Sequence, residues 1–519
     1  MRWGFQLNIK TSLEAQWQGF DWPFFRRIFL ILLGLGLAYA LPLFFDDRYY
    51  LDDLGRSIHG YAEWQFDGRP FASIFTALLN FKSPIFGQEH LFDISPLPQI
   101  MGLVALALGA TILCINLFGR ASDFYSALVV FPIIGSPYFL QNLSYKFDAF
   151  SMGLAMLCAV IAATQLRDRR YDIALGGLFL FLTFGLYQAA VNVFIGVTAL
   201  QFLASCWRGE ADVFKKLGYN VLKLLIAFLA YQFIIVPLCV PLAGYTHDNS
   251  QTLPLNADGL DQLVMHFVYG TWAAMQFLAQ APLLLLALIV SIIGYGFGFV
   301  IREENSISNP GLRVLMIVIC ILGSIFAVYG LLSFLQIVVT RPRVFYGFAA
   351  FLVFGFYCFG RLAKTYLPRA QALLILPVLY LYVISYGYAA AARAQTRYDF
   401  VMGEQIIQQL QSNGFTRDSV LILDGTQPKS PVLQNSAQLQ IIDLLVQPTF
   451  VPGQWNWGYL FLEHMGLKFK QAALPSDEQL KLMCQATPLG TTDYFNTYKN
   501  NDVYVVAFTD GACRGKSVQ

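Results

Sequence analysis

The chain has 519 residues, 56% of them hydrophobic and only 13% charged, with net charge +2 and mean hydropathy +0.54. A soluble domain carries roughly 25% charged residues, so the composition excludes an ordinary soluble protein. The near-zero charge gives no electrostatic reason to expect nucleic acid as a partner.

Apolar runs recur from end to end, each close to the about 20 residues that cross a bilayer as a helix. Eleven spans are predicted, at 26–45, 97–118, 123–140, 147–166, 171–186, 188–206, 218–242, 273–301, 313–339, 343–361 and 368–390. The expected fold is a polytopic α-helical membrane protein. In chain order, residues 1–25 are mixed and polar and are expected to be a cytoplasmic segment. The first apolar run leads into acidic residues, not a small-residue cleavage site, so no cleavable signal peptide is expected. Residues 26–390 form the expected transmembrane domain, with a large outer loop at 46–96. In that loop Phe71, Ile74, Phe75 and Leu78 recur at helical spacing behind Pro70, which suits a first-turn position. Leu260, Leu263, Val264, Phe267 and Val268 make a second apolar stripe. Both are expected to be amphipathic outer-face helices, lying on the membrane or on the protein's own outer domain. The nearly unbroken run 171–206 is divided at Tyr187-Gln188. From Arg393 charge and amide content rise; 419–424 and 502–508 read as strands, 401–412 and 476–485 as helices. Residues 391–519 are therefore expected to be a small α/β domain.

Lys and Arg in short loops set orientation. With Arg26 and Arg27 in the cytoplasm, Arg120, Arg167, Arg169, Arg170, Arg208, Lys215, Lys216, Arg302, Arg313, Arg361 and Lys364 fall on the same side. The N terminus is then cytoplasmic and the 391–519 domain lies on the outer face. If that face is periplasmic, Cys484 and Cys513 are candidates for a disulfide. The other six of the eight cysteines lie in or beside apolar runs and read as small core residues. No CxxC pair suggests zinc.

Three cations sit against this bias: Lys146 in outer loop 141–146, and Arg341 and Arg343 beside the outer turn 340–342. Phospholipid headgroups are one use for them; an anion site is the other. Loop 46–96 carries two acidic pairs. Asp46-Asp47 ends the first span, where its simplest role is to stop the helix and meet water. If the chain coils after Tyr49, then Tyr49, Asp52, Asp53 and Arg56 share a face, with Arg56 in pairing reach of both acids. His59, Glu63, Asp67 and Arg69 follow, which favours the second pair for chemistry; a contribution from Asp46 or Asp47 stays open. One carboxylate can take a proton from an attacking hydroxyl while the other orients the acceptor or holds a metal. ATP and nucleotide sugars are scarce outside the inner membrane, so the activated substrate should come on a lipid. A polyprenyl-phosphate sugar fits, and its phosphate gives Lys146, Arg341 and Arg343 a role in stabilising the leaving group. Tyr145, Lys146 and Asp148 form a further polar cluster, and Tyr187-Gln188 falls at an outer turn where it could line the cavity. Asn192 is more simply explained by a bond to another helix, and His247-Asp248-Asn249 by a solvated loop. No HExxH, GxSxG, P-loop or dinucleotide fingerprint supports another enzyme class.

Tyr50-Leu51-Asp52-Asp53-Leu54-Gly55-Arg56, then Gly60-Tyr61, Trp64 and Gly68-Arg69-Pro70, resemble the first outer loop of the Gtr-type (GtrII-like) glucosyltransferases, serotype-converting enzymes that decorate O-antigen. The stretch from Asn142 to Asp148 is similar to that family's short second outer loop. Leu186-Tyr187-Gln188-Ala189 and Arg341-Pro342-Arg343 resemble later signatures. The resemblance implies a GT-C architecture in the bacterial inner membrane, with the active site and the C terminus on the periplasmic side. It implies transfer of a sugar, often glucose, with inversion, from a polyprenyl-phosphate donor to a surface polysaccharide or lipid-linked glycan. Asp52 and Asp53 would be the catalytic carboxylates. Arg56 and Arg69 would shape the site, Lys146, Arg341 and Arg343 would face phosphate, and Tyr145, Asp148, Tyr187 and Gln188 would contact substrate. Asp46-Asp47 is not part of the signature. Metal use varies among GT-C enzymes; none is assigned here, and Asp52 or Asp53 would be the ligand of a Mg or Mn ion. Coupling to a flippase and a polyprenyl-phosphate sugar synthase is implied as well.

Two alternatives share this topology. An O-antigen polymerase or ligase relies more on arginines and histidine in large loops than on an early acidic pair. A lipid-linked sugar transporter or flippase would show repeated halves and mid-membrane ionisable groups; no repeat is visible, and the polar residues gather at one face.

Overall fold

The structure is a computed structural model that describes residues 21–82, 90–164, 169–210, 212–241, 248, 251–254, 256–302, 309–451, 456–471, 475–485 and 487–514. Most of segment 1–25, residues Arg167 and Asp168, the side chains of Arg169 and Arg170, and His247 and Asn249 lie outside the described residues; Asp248 is exposed.

Asp21 caps the first helix, Trp22–Ala40, by accepting the Phe24 N–H at 3.1 Å, and Pro42 follows its end. Among the described residues eight helices are long and apolar enough to cross a membrane: Trp22–Leu43, Leu97–Ala121, Gln188–Trp207, Val213–Cys239, Pro282–Ile301, Pro310–Phe334, Gly347–Tyr366 and Pro368–Ser412. Three of the eleven expected spans instead form shorter apolar helices, Phe124–Gly135, Ala149–Ala163 and Tyr171–Leu186. The region 123–140 is not one rod, because Pro132 and Pro137 break it into Phe124–Val130, Pro132–Gly135 and Phe139–Ser144. Pro282 likewise divides the expected span 273–301, so its first part belongs to a separate helix, Ala257–Ala279. That helix carries the second apolar stripe, and Pro70–Leu79 carries the first.

Two glycines let the helices Leu97–Phe118 and Ala149–Ala163 touch. A Cβ on Gly102 would lie 2.7 Å from the Ala149 carbonyl, and one on Gly153 would lie 2.6 Å from the Gly102 carbonyl. This close crossing fixes the start of Ala149–Ala163, and with it the 145–148 stretch. One end of the helical body gathers cations. There the Arg302 and Arg361 guanidinium groups face the Trp207 ring at 5.3 and 5.9 Å, Arg208 donates to the Leu117 carbonyl and Lys364 to that of Ala121. The other end carries the 46–96 loop and the tail.

The last long helix differs from expectation. After a 3-10 segment, Pro368–Leu374, the rest of the span 368–390 and the helix 401–412 are parts of one continuous helix, Ile375–Ser412, because no Gly or Pro falls between Tyr388 and Met402. At 1.5 Å per residue it is about 57 Å long, well beyond the about 30 Å of a hydrocarbon core. It leads into a five-stranded sheet of order β2-β1-β5-β4-β3. The strands are β1 (Val420–Asp424), β2 (Lys470–Gln471), β3 (Gly490–Thr491), β4 (Phe495–Asn500) and β5 (Val503–Phe508). β1 runs parallel to β2 and β5, and β4 antiparallel to β5. Helix Asp477–Met483 starts with a Ser476/Gln479 capping box, and Cys484 at its end is disulfide-bonded to Cys513. The tail packs on the loop: Leu54 is buried in one hydrophobic cluster with Met402, Ile406 and Phe461, and the Tyr50 hydroxyl donates to the Leu445 carbonyl at 2.7 Å.

Candidate active site

The loop after the first helix reverses at Leu51, a leucine held at φ +50°. That left-handed conformation is unfavourable for a branched residue and persists only where surrounding packing enforces it. The Asp53 and Leu54 amides bond back to the Tyr50 and Leu51 carbonyls, and the helix Asp53–His59 begins. Asp53 thereby enters the protein completely buried, while the Asp52 side chain stays about a third exposed at 36%.

One Asp53 oxygen, Oδ2, accepts the Lys146 backbone N–H at 2.5 Å. The other, Oδ1, is buried without a hydrogen-bond partner among the described residues. Burial pushes the Asp53 carboxyl well above the usual carboxylate range; the Arg56 charge and the Lys146 N–H oppose this, and Asp148 and Asp52 add to it. Asp52 meets Arg343, whose Nη1 lies 3.5 Å from its Oδ2 and also donates to the Tyr145 hydroxyl. The Arg343 backbone is clamped as well. Its N–H donates to Gln141 Oε1 at 2.6 Å, and its carbonyl accepts from Asn142 and from the Tyr187 hydroxyl, both at 3.3 Å.

Behind this layer lies a closed ion pair. Arg69 Nη2 donates to both Asp148 oxygens at 2.8 Å, and its Nε to the Leu186 carbonyl at 2.8 Å. The guanidinium lies 4.6 Å from the centre of the Tyr187 ring, which stacks on Tyr346. Ser151 donates to the same Asp148 carboxylate. Gln188 Nε2 bonds the Asp67 carbonyl at 3.0 Å and the Tyr231 hydroxyl at 2.9 Å. Gly68 sits at φ +69°, and a Cβ there would lie 2.4 Å from the Tyr231 oxygen. Only glycine fits both constraints. Tyr231 itself opens a π-helical turn, Tyr231–Ile235.

Arg56 diverges from expectation. Arg56 does not pair with Asp52 or Asp53 among the described residues. Its guanidinium lies over Trp64 at 4.4 Å and faces Tyr61 at 5.5 Å. These two rings give a planar cation a better-packed seat than a side-by-side carboxylate on the same short helix. The Lys146 ammonium donates to the Asp47 carbonyl at 3.2 Å and lies 4.5 Å from the Tyr49 ring centre. Arg341 is exposed. Asp47 is exposed and Asp46 half-buried, its Oδ1 accepting the Arg48 N–H at 3.2 Å. Among the described residues no group of three or more His, Cys, Asp or Glu could hold a metal ion.

Sequence reasoning passed over Gln141, Ser151 and Tyr346. Gln141 and Asn142 are adjacent, buried amides in an apolar setting, and that adjacency was the available signal. Nothing in the sequence marks Tyr346. The assembled site holds a fully buried carboxylate with one oxygen unpartnered among the described residues, and its sequence neighbour Asp52 meets an arginine fixed through both its backbone and its side chain. A carboxylate and a cation so placed are the groups that proton transfer and charge balance need.

The family model described as Glucosyl transferase GtrII matches residues 41–354, more than half of the chain. An uncharacterized 55.3 kDa protein in the gtrB 5' region of Salmonella phage P22 is 28% identical over 451 residues, covering 84% of this chain and 90% of that protein. No solved structure matches.

Proposed function

The chain belongs to the glucosyl transferase GtrII family, and from that premise we propose that it moves glucose from a polyprenyl-phosphate donor to a surface polysaccharide such as O-antigen. Transfer takes place on the periplasmic face of the bacterial inner membrane and inverts the anomeric carbon. The observation that carries this reading is Asp53, fully buried with Oδ1 unpartnered among the described residues, next in sequence to Asp52, which itself meets Arg343. Asp53 takes the proton of the acceptor hydroxyl as that oxygen attacks the anomeric carbon. The bond from that carbon to the phosphate oxygen breaks, and the polyprenyl phosphate leaves with its electron pair. Arg343 balances the charge gathering on the phosphate, with Lys146 and Arg341 as further cations on this face. Asp52 orients Arg343, and the Arg69–Asp148 pair holds Tyr187 and the floor of the site. One displacement without a glycosyl-enzyme intermediate gives inversion.

The membrane setting proposed here is GT-C-like, with the cation-rich end in the cytoplasm in keeping with the charge rule. The Cys484–Cys513 disulfide supports an oxidising compartment for the tail. A flippase and a polyprenyl-phosphate sugar synthase would supply the donor. The test is incubation of the full chain in lipid nanodiscs with polyprenyl-phosphate sugars, UDP-glucose and O-polysaccharide. Transfer from polyprenyl-phosphate glucose is expected; transfer from UDP-glucose alone would contradict the reading.

A further inference from the structure

Two amides adjacent in sequence take both backbone groups of Arg343. Gln141 Oε1 accepts its N–H at 2.6 Å, and Asn142 Nδ2 donates to its carbonyl at 3.3 Å. Gln141 carries the contact onward. Its Nε2 donates to the Tyr50 hydroxyl at 3.0 Å, and that hydroxyl donates to the Leu445 carbonyl at 2.7 Å. Both ends of this chain work in one direction only, because a backbone N–H can only donate and a carbonyl can only accept. The orientation of the Gln141 amide and of the Tyr50 proton is therefore fixed between them. Tyr50 and Gln141 are 2% and 3% exposed, so bulk water does not compete for these bonds. The Tyr50 ring also meets the Tyr145 ring edge-to-face at 5.1 Å, and the Tyr145 hydroxyl accepts from Arg343 Nη1. The backbone hold and the side-chain hold on Arg343 thus converge on one tyrosine.

The far end of the chain of bonds lies in the tail. Leu445 is the last residue of the helix Gln440–Leu445, where a carbonyl has no partner within the helix. Ile441, Ile442, Leu445 and Val446 are buried in the large cluster of the helical body, whereas the sheet residues Leu421, Leu423 and Phe508 pack in a separate one. The Gln440 N–H donates to Gln280 Oε1 at 2.8 Å, which ties the start of the same helix to that body. Asp52 constrains Arg343 less. Their contact is 3.5 Å long and about a third exposed on both sides, at 31% and 36%, and such pairs are weak. The aim of the guanidinium therefore depends mainly on the buried chain through Gln141 and Tyr50.

We propose that Tyr50 and Gln141 are positioning residues that aim Arg343 at the donor phosphate, with the 440–446 segment of the tail as their anchor. The identity of the donor rests on the glucosyltransferase reading. The test uses the full chain in lipid nanodiscs. Binding of a short-chain polyprenyl phosphate is read by native mass spectrometry, and donor and acceptor KM are read in transfer assays. Gln141→Met keeps the length of the side chain and removes its amide. It should weaken polyprenyl phosphate binding and raise the donor KM about tenfold, the scale of one lost hydrogen bond, and leave the acceptor KM unchanged. Gln141→Glu still accepts the Arg343 N–H and should recover most of that loss. Tyr50→Phe keeps the ring on Tyr145 and loses only the anchor, and should act in the same direction by a few-fold. In an Arg343→Ala background, where there is no guanidinium to aim, Gln141→Met should add less than about twofold, since residues of one network are not additive. If Gln141→Met does not fold, Tyr50→Phe with and without Arg343→Ala decides the question in the same way. Equal losses in both backgrounds, or unchanged polyprenyl phosphate binding by the folded variants, would overturn the proposal. Absence of polyprenyl phosphate binding by the wild type would overturn it together with the donor assignment. Binding that depends on Gln141 and Arg343 in a protein that moves no glucose would uphold the positioning role and refute the glucosyltransferase reading instead.

Discussion

Asp53 and Asp148 are both buried carboxylates within electrostatic reach of each other, and they are built in opposite ways. Asp148 is saturated: Arg69 grips both its oxygens, and Ser151 adds a third donor. Asp53 has one backbone N–H on Oδ2 and nothing on Oδ1 among the described residues. A saturated buried ion pair holds structure in place, whereas a half-satisfied buried carboxylate is the kind of group found at functional sites. In the proposed reading positioning falls to the Arg69–Asp148 centre and proton transfer to Asp53.

Asp53→Asn should give the largest change, lowering transfer by about 10²–10⁴-fold in a purified assay, the range of a lost general base. The same substitution should raise the melting temperature at neutral pH. Burial holds the Asp53 proton on the folded chain at pH values where the unfolded chain has released it. Stability therefore falls as pH rises from the unfolded value, about 3.9, toward the raised folded value, and asparagine removes that loss. Asp148→Asn should show the reverse pattern. It leaves Arg69 buried with a neutral partner and should destabilise the fold by about 3–5 kcal/mol, read by denaturant unfolding in detergent. If Asp148→Asn melts like wild type and only transfer suffers, the division of roles between the two acids is wrong.

Smaller effects should follow on the cation side. Arg343→Lys keeps charge but loses the planar fork that meets Asp52 and Tyr145; the donor KM should rise about tenfold, the scale of one lost charge-assisted hydrogen bond. Arg341→Ala, at an exposed position, should raise the donor KM only a few-fold, and an unchanged value would remove Arg341 from the donor site. Smallest of all, Asp47→Asn should leave transfer within about twofold of wild type, as expected of an exposed surface carboxylate. A large loss there would return the first acidic pair to contention.

Much of this architecture was legible in the sequence, because apolar length and turn residues speak directly about helices. The strand at 502–508 and the helix at 476–485 showed in the same way, through alternation and capping residues. The continuity of Ile375–Ser412 was hidden because polarity changes where the chain leaves the apolar run, while the backbone continues as a helix. The 123–140 run looked like a span because hydropathy outweighed its two prolines. At the site, residue types pointed to the second acidic pair and to the cations placed against topology. Partner choice was not legible. Arg56 turns to Trp64 and not to the neighbouring acids, and Gln141 clamps Arg343 from 202 residues away. Both depend on tertiary packing that no local spacing encodes.

The most direct test of Asp53 as the base is the pH dependence of kcat/KM for glucose transfer, measured on wild-type protein and on Asp52→Asn. If Asp53 is the base, the profile has an acid limb whose midpoint lies well above the ordinary carboxylate range and persists without Asp52. A rate that is flat down to the ordinary aspartate value, or a limb that vanishes with Asp52, would contradict it.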